Sequence, residues 1–164
     1  MDAASIHSRL REKFADRVTS VEEAVKDPFA VVEAAAIVDI CRFLRDEADL
    51  GFDVLSNQSG VDYKAEGYIE VVYHLYSYPH RHYAILKARV PRDAARIPTV
   101  EGVWKAANWL EREIFDLLGV HFIDHSDLRR LLMPEDWVGH PLRKDFVEPA
   151  EYHGISTSRE SLLR

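Results

Sequence analysis

The sequence predicts an α+β fold, in which a mixed or antiparallel sheet is packed by about three helices in a single small domain, followed by an extended C-terminal tail. Two neighbouring segments alternate apolar and polar residues, a later segment repeats apolar residues at helical spacing, and both patterns stop after Gly119. We therefore place the α+β core in residues 1–120 and the tail in residues 121–164.

The strongest strand signal is a predicted antiparallel hairpin. Residues 68–78 alternate, and residues 83–90 alternate again after the turn at Pro79. The apolar face of the first strand consists of Ile69, Val71, Tyr73 and Leu75. Further strands are predicted at residues 17–25, 29–33 and 53–63.

Three segments have the apolar spacing of amphipathic helices: residues 5–15, 36–47 and 99–119. The last is the clearest, because Thr99 is a suitable N-cap and Gly119 is a suitable residue to follow the C-terminus. Its apolar stripe comprises Val100, Val103, Trp104, Ala107, Leu110, Ile114, Leu117 and Leu118. In the second helix, Cys41 follows Ile37 and Ile40 at helical spacing, which predicts a buried structural thiol.

Size and charge exclude several classes of protein. The chain has 164 residues and a formal net charge of −7, which disfavours binding to the phosphate backbone of nucleic acids. No apolar run approaches the ~20 residues needed to cross a bilayer, and the charged N-terminus does not resemble a secretory signal. We expect a chain that stays in the cytosol or an equivalent compartment and reaches a membrane only through partners.

The sequence contains no recognisable cofactor site. Its seven glycines are dispersed and form no phosphate-binding loop, and its one cysteine is too few for an iron–sulfur cluster, which usually needs four. His121 and His125 follow the predicted end of the third helix, while His74, His80 and His82 cluster around the hairpin turn without completing a zinc spacing. We therefore expect surface or hydrogen-bonded histidines, and no metal or organic cofactor in this chain.

Charged residues on the third helix fall at different angles around its axis. At ~100° per residue, Glu111 lies inside the apolar stripe, Glu113 at its edge, and Arg112 and Asp116 opposite it. We expect Arg112 and Asp116 to form a solvated pair. A buried carboxylate needs a partner, so we expect Glu111 to be buried and paired with an arginine of the tail. The best candidates are Arg129 and Arg143.

The tail combines few signs of regular structure with many apolar residues. A stretch this long without periodicity is unusual inside a compact domain. Its large apolar side chains are Leu131, Leu132, Met133, Trp137 and Phe146. Because these would be unfavourable if exposed together, we expect the segment from about His121 to Phe146 to bind a partner. Trp137 and Arg143 are the side-chain types that dominate interface energies. The alternative is that the segment wraps its own core.

Two stretches together resemble the signature of the C subunits of respiratory complex I. The first is EREIFDLLGV at 111–120 with HSDLRR at 125–130, and the second is MPEDWVGHPLRKDF at 133–146. The signature positions in the first are Glu111, Arg112, Glu113, Asp116, Gly119, His125, Asp127, Leu128 and Arg129. Those expected to bind a partner are Pro134, Glu135, Trp137, Gly139, His140, Pro141, Leu142, Arg143, Lys144, Asp145 and Phe146. Looser agreement extends upstream to about residue 29. Ser126 stands where the family usually has proline, which predicts a looser local backbone.

The resemblance implies a non-catalytic subunit of the peripheral arm of a proton-pumping NADH:quinone oxidoreductase. Such subunits have an α+β core and bind the D-type subunit that helps to form the quinone site. FMN and iron–sulfur clusters belong to partner subunits, which carry electrons from NADH to quinone. The implied location is the cytoplasmic face of the inner membrane, where the complex holds the chain. The chain has no long extension, which is typical of a stand-alone subunit rather than a C–D fusion.

Three other functions remain open from the sequence. The nearest is the equivalent subunit of a membrane-bound hydrogenase or formate hydrogenlyase. A small metal-dependent enzyme built on the histidines and Glu113 would be revealed by metal bound to the purified chain. A generic adaptor domain would bind a partner without redox subunits co-purifying.

Overall fold

The computed structural model describes residues 1–157, and it has the predicted α+β architecture. The three α-helices are α1 (Ala3–Phe14), α2 (Ile37–Asp46) and α3 (Ala107–Leu118). The main strands are β1 (Val18–Glu22), β2 (Phe29–Val32), β3 (Val54–Tyr63), β4 (Tyr68–Ser77) and β5 (His82–Pro91). Among the described residues, no helix is both long enough and apolar enough to cross a membrane.

The five main strands form one mixed sheet in the order β1-β2-β5-β4-β3. The predicted hairpin is confirmed: β4 and β5 pair antiparallel from Tyr68 opposite Pro91 to Ser77 opposite His82. β1 and β2 form the second predicted antiparallel pair. In contrast, β2 and β5 run parallel, because α2 and two strands separate them in the chain and supply the crossover.

The core lies between one face of the sheet and the helices. The predicted apolar face of β4 is buried, with Tyr73 fully covered. The side of α2 that faces the core carries Ile37, Ile40, Cys41 and Leu44, all fully buried. The thiol of Cys41 is therefore structural, as predicted, and burial raises its pKa well above the ordinary value.

The third helix begins at Ala107 and its N-cap is Ala106, so the prediction that Thr99 caps the helix is wrong. The amides of Val103 and Trp104 both donate to the Val100 carbonyl, which folds this segment into a turn. The Trp104 indole donates to the Phe52 carbonyl at 3.0 Å. The turn buries Val100, Val103 and Trp104, which a helix would also have buried. This explains why the spacing of these residues resembled that of a helix.

The tail contains more strand than its sequence indicated. Residues His121–Ile123 form β7, which pairs parallel with β6 (Arg96–Pro98). Residues Glu151–Tyr152 and Ile155–Ser156 form a two-stranded hairpin, β8 and β9. The rest of 124–150 is irregular, as predicted. The last part of the predicted tail, residues 158–164, lies outside the described residues.

Candidate partner-binding site

The carboxyl end of α3 holds the tail in place. Gly119 follows the helix with φ +73°, the left-handed conformation common after a helix. The last turn leaves backbone carbonyls without helical partners, and the tail supplies donors to them. The Leu142 amide donates to the Leu117 carbonyl at 3.0 Å, and Arg143 Nε donates to the Leu118 carbonyl at 2.7 Å. A cation at this end also complements the helix dipole.

Asp116 is the centre of this arrangement. Its Oδ2 accepts hydrogen bonds from the amides of Leu131, Leu132 and Met133 at 2.7–3.0 Å. Its Oδ1 accepts one from Arg130 at 2.7 Å. Burial by itself would raise the pKa of Asp116, but the hydrogen bonds from Met133, Arg130 and the other amides outweigh it and lower the pKa.

Arg112 binds the tail at residues 127–130, just before the segment that Asp116 binds. Its guanidinium donates to the carbonyls of Arg129 and Arg130, both at 3.2 Å, and lies 3.8 Å from Asp127. The prediction that Arg112 and Asp116 form a solvated pair is therefore wrong, because both side chains are buried. The tail covers the face of α3 that the spacing of residues had assigned to solvent.

Glu111 is fully buried, as predicted, but its partners are not arginines. Its carboxylate accepts hydrogen bonds from the Val100 amide at 2.9 Å, from the Thr99 hydroxyl and, more weakly, from Gln58 at 3.4 Å. The predicted arginines are engaged elsewhere, Arg143 with the end of α3 and Arg129 with Asp127. Burial therefore prevails over these neutral donors and raises the pKa of Glu111.

His125 is held in one tautomer between two acidic residues. Its Nδ1 accepts from the Asp127 amide at 3.0 Å, so Nε2 carries the proton and donates to the Asn108 carbonyl at 3.0 Å. Nε2 lies 3.7 Å from Glu101 and 3.9 Å from Glu111. The ring therefore joins α3 to the start of the tail.

Ser126 strengthens the local backbone, contrary to the expectation. Its amide donates to Glu101 at 2.7 Å and its hydroxyl donates to the same carboxylate at 3.0 Å. Proline has no amide proton and could not make the first bond. Glu101 also accepts from the Asn108 side chain, and these hydrogen bonds lower its pKa despite its burial.

Most residues predicted to bind a partner make contacts within the chain. Gly139 and His140 bond to Arg130 and to the Asp116 carbonyl, respectively. The Trp137 ring lies against Phe146 and Tyr152, with centroids 6.4 and 5.1 Å away. The other predicted positions that are half-buried are Pro141 and Arg143, whereas Pro134, Glu135, Leu142, Lys144 and Asp145 are exposed. The alternative that the segment wraps its own core thus holds for part of it.

Sequence reasoning missed a charged link between the sheet and the tail. Arg92, just after β5, donates to both oxygens of Asp62 on β3 at 2.8 and 3.0 Å, and also binds Asp145. The Lys144 amide donates to the same Asp62 at 2.8 Å. Hydrogen bonding by Arg92 lowers the pKa of Asp62. No local pattern could have indicated this link, because its members are 30 and 53 residues apart.

Sequence reasoning also did not single out the exposed residue Trp109. It lies on α3, outside the apolar stripe, and it is exposed. A large aromatic residue on the polar side of an amphipathic helix was the signal that could have identified it.

Two of the three histidines around the hairpin, His80 and His82, bond to backbone carbonyls. His80 and His82 stack with ring centroids 5.4 Å apart, and their Nε2 atoms lie 2.8 Å from the Ala48 carbonyl and 2.7 Å from the Leu50 carbonyl. Within residues 1–157, no group of three histidine, cysteine, aspartate or glutamate side chains is arranged to hold a metal ion.

Several known proteins with similar sequences are C subunits of NADH-quinone oxidoreductase. Residues 30–152 match the family described as "Respiratory-chain NADH dehydrogenase, 30 Kd subunit". The C subunit of NADH-quinone oxidoreductase from Geobacter sulfurreducens is 48% identical over 140 residues, covering 84% of this chain and 85% of that protein. The C subunit of the same enzyme from Roseiflexus sp. is 44% identical over 152 residues, covering 92% and 87%.

Two solved structures share the fold. One is a chain of the membrane-bound sulfane sulfur reductase, an archaeal respiratory membrane complex. It has a TM-score of 0.74 and 30% identity, covering 90% of this chain and 86% of that one. The other is a trypsin-resistant fragment of Nqo5, with a TM-score of 0.57 and 29% identity, covering 75% and 98%.

Proposed function

The chain belongs to the family of the 30 Kd subunit of respiratory-chain NADH dehydrogenase, and we propose that it is a structural and assembly subunit in the peripheral arm of an NADH-quinone oxidoreductase. The observation that carries the proposal is the match across residues 30–152, which includes most of the sheet, α2, α3 and the part of the tail held against α3. Relatives named as the C subunits of this enzyme cover most of the chain at 40–48% identity.

In this proposal the chain itself transfers no electrons. Electrons pass from NADH through FMN and iron–sulfur clusters of other subunits to quinone, and their passage is coupled to proton translocation. The single cysteine, Cys41, is buried among apolar side chains with a raised pKa, so it is a poor ligand for a cluster. The subunit would lie at the cytoplasmic face of the inner membrane, held there by the complex.

We further propose that the tail binds the D-type subunit, which helps to form the quinone site. The structural comparisons support this in one respect. The structure taken from a whole membrane complex covers 90% of this chain, whereas the trypsin-resistant fragment covers 75%. A segment that is stabilised by partners would be retained in the complex and removed by protease from the isolated protein.

The equivalent subunit of a related membrane complex is the second candidate function. The similarity to a chain of a sulfane sulfur reductase complex favours it. Its identity is 30%, against 48% for a C subunit of NADH-quinone oxidoreductase, so we place the chain with NADH-quinone oxidoreductase.

Deletion of the gene tests the proposal directly. Membranes from cells that lack the chain should lose NADH:quinone electron transfer and regain it when the full chain is supplied from a plasmid. Normal NADH:quinone electron transfer in the deletion strain, together with loss of a hydrogenase or sulfur reductase activity, would favour the second candidate.

A further inference from the structure

The ring of His125 lies where α3, the turn from Val100 to Trp104 and the start of the tail meet. Its side chain is fully buried, and both ring nitrogens are engaged in hydrogen bonds. Nε2 donates to the Asn108 carbonyl of α3, and Nδ1 accepts from the Asp127 amide of the tail, both at 3.0 Å. The second bond requires an Nδ1 that carries no proton, so the arrangement in the structure belongs to the neutral ring.

A proton on Nδ1 of His125 turns this acceptor into a donor. The Asp127 amide is also a donor, so two N–H groups would face each other across 3.0 Å and the hydrogen bond would be lost. The neighbouring contacts of the tail do not use the ring. The Ser126 amide donates to Glu101, and the amides of residues 131–133 donate to Asp116. Protonation therefore changes the backbone around Asp127 and leaves the rest of the tail in place.

Two carboxylates beside His125 favour a positive charge on its ring. Nε2 lies 3.7 Å from Glu101 and 3.9 Å from Glu111. Burial opposes the charge of Glu101, but hydrogen bonds from Asn108 and Ser126 outweigh it, lower the pKa of Glu101 and keep the carboxylate ionised. Burial raises the pKa of Glu111, so the negative charge of this second carboxylate is added only at higher pH. Glu101 is therefore the constant source of stabilisation for a charged ring.

The other charged groups that face this site belong to the tail and to α3. Asp127 interacts electrostatically with His125, and hydrogen bonding by Arg129 lowers the pKa of that carboxyl. Arg112 of α3 lies 3.8 Å from Asp127. The two guanidinium groups thus lie against Asp127, whereas the carboxylates of Glu101 and Glu111 lie against Nε2. The balance of charge beside the ring is therefore negative.

We infer that His125 is a pH-sensitive latch at the start of the tail: the neutral ring holds the Asp127 amide, and uptake of a proton, stabilised by Glu101, releases it. Histidine side chains change charge between about pH 5 and about pH 8, so the latch responds to pH in the physiological range. The device belongs to the chain itself, and it does not depend on which complex contains the chain.

NMR spectroscopy of the full chain between about pH 8 and about pH 5 tests the latch. We expect the ring signals of His125 and the amide signal of Asp127 to change with one common midpoint. Protection of the Asp127 amide from hydrogen exchange, corrected for the intrinsic effect of pH, should fall about three- to tenfold across that midpoint, which is the loss expected for one hydrogen bond. The amides of residues 131–133, which Asp116 holds, are the internal control and should keep their protection.

Two variants test the parts of the latch separately. Glu101→Gln keeps an oxygen for the Ser126 amide but removes the negative charge beside Nε2, so the midpoint of the His125 signals should fall by at least about 0.5 pH unit. Glu113→Gln removes an exposed carboxylate of α3 and is the matched control, which should keep the wild-type midpoint. His125→Asn supplies an acceptor oxygen in place of Nδ1 and has no titratable group, so protection of the Asp127 amide in this variant should not change with pH.

Three results would overturn the inference. Unchanged protection of the Asp127 amide while His125 takes up its proton would show that the ring does not hold the tail. Equal midpoints in Glu101→Gln and Glu113→Gln would show that Glu101 does not stabilise the charged ring. Loss of protection at residues 131–133 together with Asp127 would show that acid unfolds the whole tail rather than opening a latch at its start.

Discussion

At the scale of single residues, α3 carries two fully buried carboxylates, Glu111 and Asp116, whose pKa values shift in opposite directions. Asp116 faces a guanidinium and three amides, which favour its charged form. Glu111 faces an amide, a hydroxyl and a carboxamide, so burial dominates and favours its neutral form. The same helix therefore uses one carboxylate as a charged centre for the tail and the other as an acceptor inside the core.

Asp116→Asn should destabilise the chain strongly, because it leaves Arg130 without its charged partner and replaces one of two accepting oxygens by a donor. We expect a loss of about 3 kcal/mol in the free energy of unfolding, measured by urea denaturation at neutral pH. The control Glu113→Gln, on the exposed face of the same helix, should cost less than about 0.5 kcal/mol. Similar small effects of both substitutions would contradict this account of Asp116.

Glu111→Gln should reveal a pH dependence of opposite sign to the usual one for a carboxylate. Because the pKa of Glu111 is raised above 4.5 in the folded chain, the folded state keeps the proton when the unfolded state has lost it. The free energy of unfolding therefore falls as pH rises from about 4.5 through the folded pKa. The neutral glutamine removes this effect, so the variant should gain stability relative to wild type over that range in urea denaturation from about pH 4.5 to about pH 8. A difference that stays constant with pH would show that Glu111 does not titrate in this way.

Burial of Glu111 could be predicted from the sequence, but its partners could not. The spacing of the apolar stripe placed Glu111 inside the core without reference to the rest of the fold. Its donors are Thr99 and Val100, which the same spacing had assigned to an earlier turn of one continuous helix. The burial of Asp116 depends on residues 130–133 crossing over it, and no local pattern encodes that crossing.

At the scale of elements, the end of α3 depends on glycine. A Cβ on Gly119 would lie 2.5 Å from Nε2 of His140 and 2.9 Å from Arg143, and φ is +73°. The close approach allows both tail side chains to reach the carbonyls of the last turn. Gly67 has a similar φ of +77° but nothing within 4 Å of its would-be Cβ.

Comparing Gly119→Ala with Gly67→Ala therefore separates two costs. Both substitutions strain a left-handed backbone, but only Gly119→Ala also disturbs the contact with the tail. Gly67→Ala should cost about 1 kcal/mol through the left-handed backbone alone. Gly119→Ala adds the collision with His140 and Arg143, and we expect a total of about 2–4 kcal/mol. Thermal denaturation gives both values, and equal costs would show that the tail does not pack on Gly119 in solution.

The elements differed in how well the sequence predicted them. The β4–β5 hairpin was predicted correctly because sustained alternation of apolar and polar residues is typical of a strand with one buried face. The start of α3 was placed seven residues too early, since the turn from Val100 to Trp104 buries apolar side chains at the spacing that a helix would bury. Strand β7 is only three residues long, too short to show alternation.

At the scale of the whole molecule, the tail is tied back to the sheet through Arg92. This side chain joins Asp62 of β3 to Asp145 of the tail. Asp62 is buried, and hydrogen bonding by Arg92 lowers its pKa. Its contribution to stability is therefore present above pH 3.8 and lost as pH falls through its folded pKa.

Arg92→Gln should release the end of the tail, because it leaves Asp62 with a buried charge and Asp145 without its partner. We expect faster trypsin cleavage after Arg143 and Lys144 than in wild type, followed by mass spectrometry of the products. Arg89→Gln is the matched control on β5, where the arginine pairs with Glu70 away from the tail. Cleavage at equal rates in the two variants would mean that Arg92 does not hold the tail.

If this chain serves an NADH-quinone oxidoreductase as a partner-binding subunit, the proteins that co-purify with it will show this most directly. A tagged full-length copy, expressed at native level and purified from gently solubilised membranes, should recover the D-type subunit together with the flavin- and cluster-bearing subunits in equal amounts by quantitative mass spectrometry. Recovery of a hydrogenase or sulfur reductase large subunit in their place, or of the chain alone, would contradict the account.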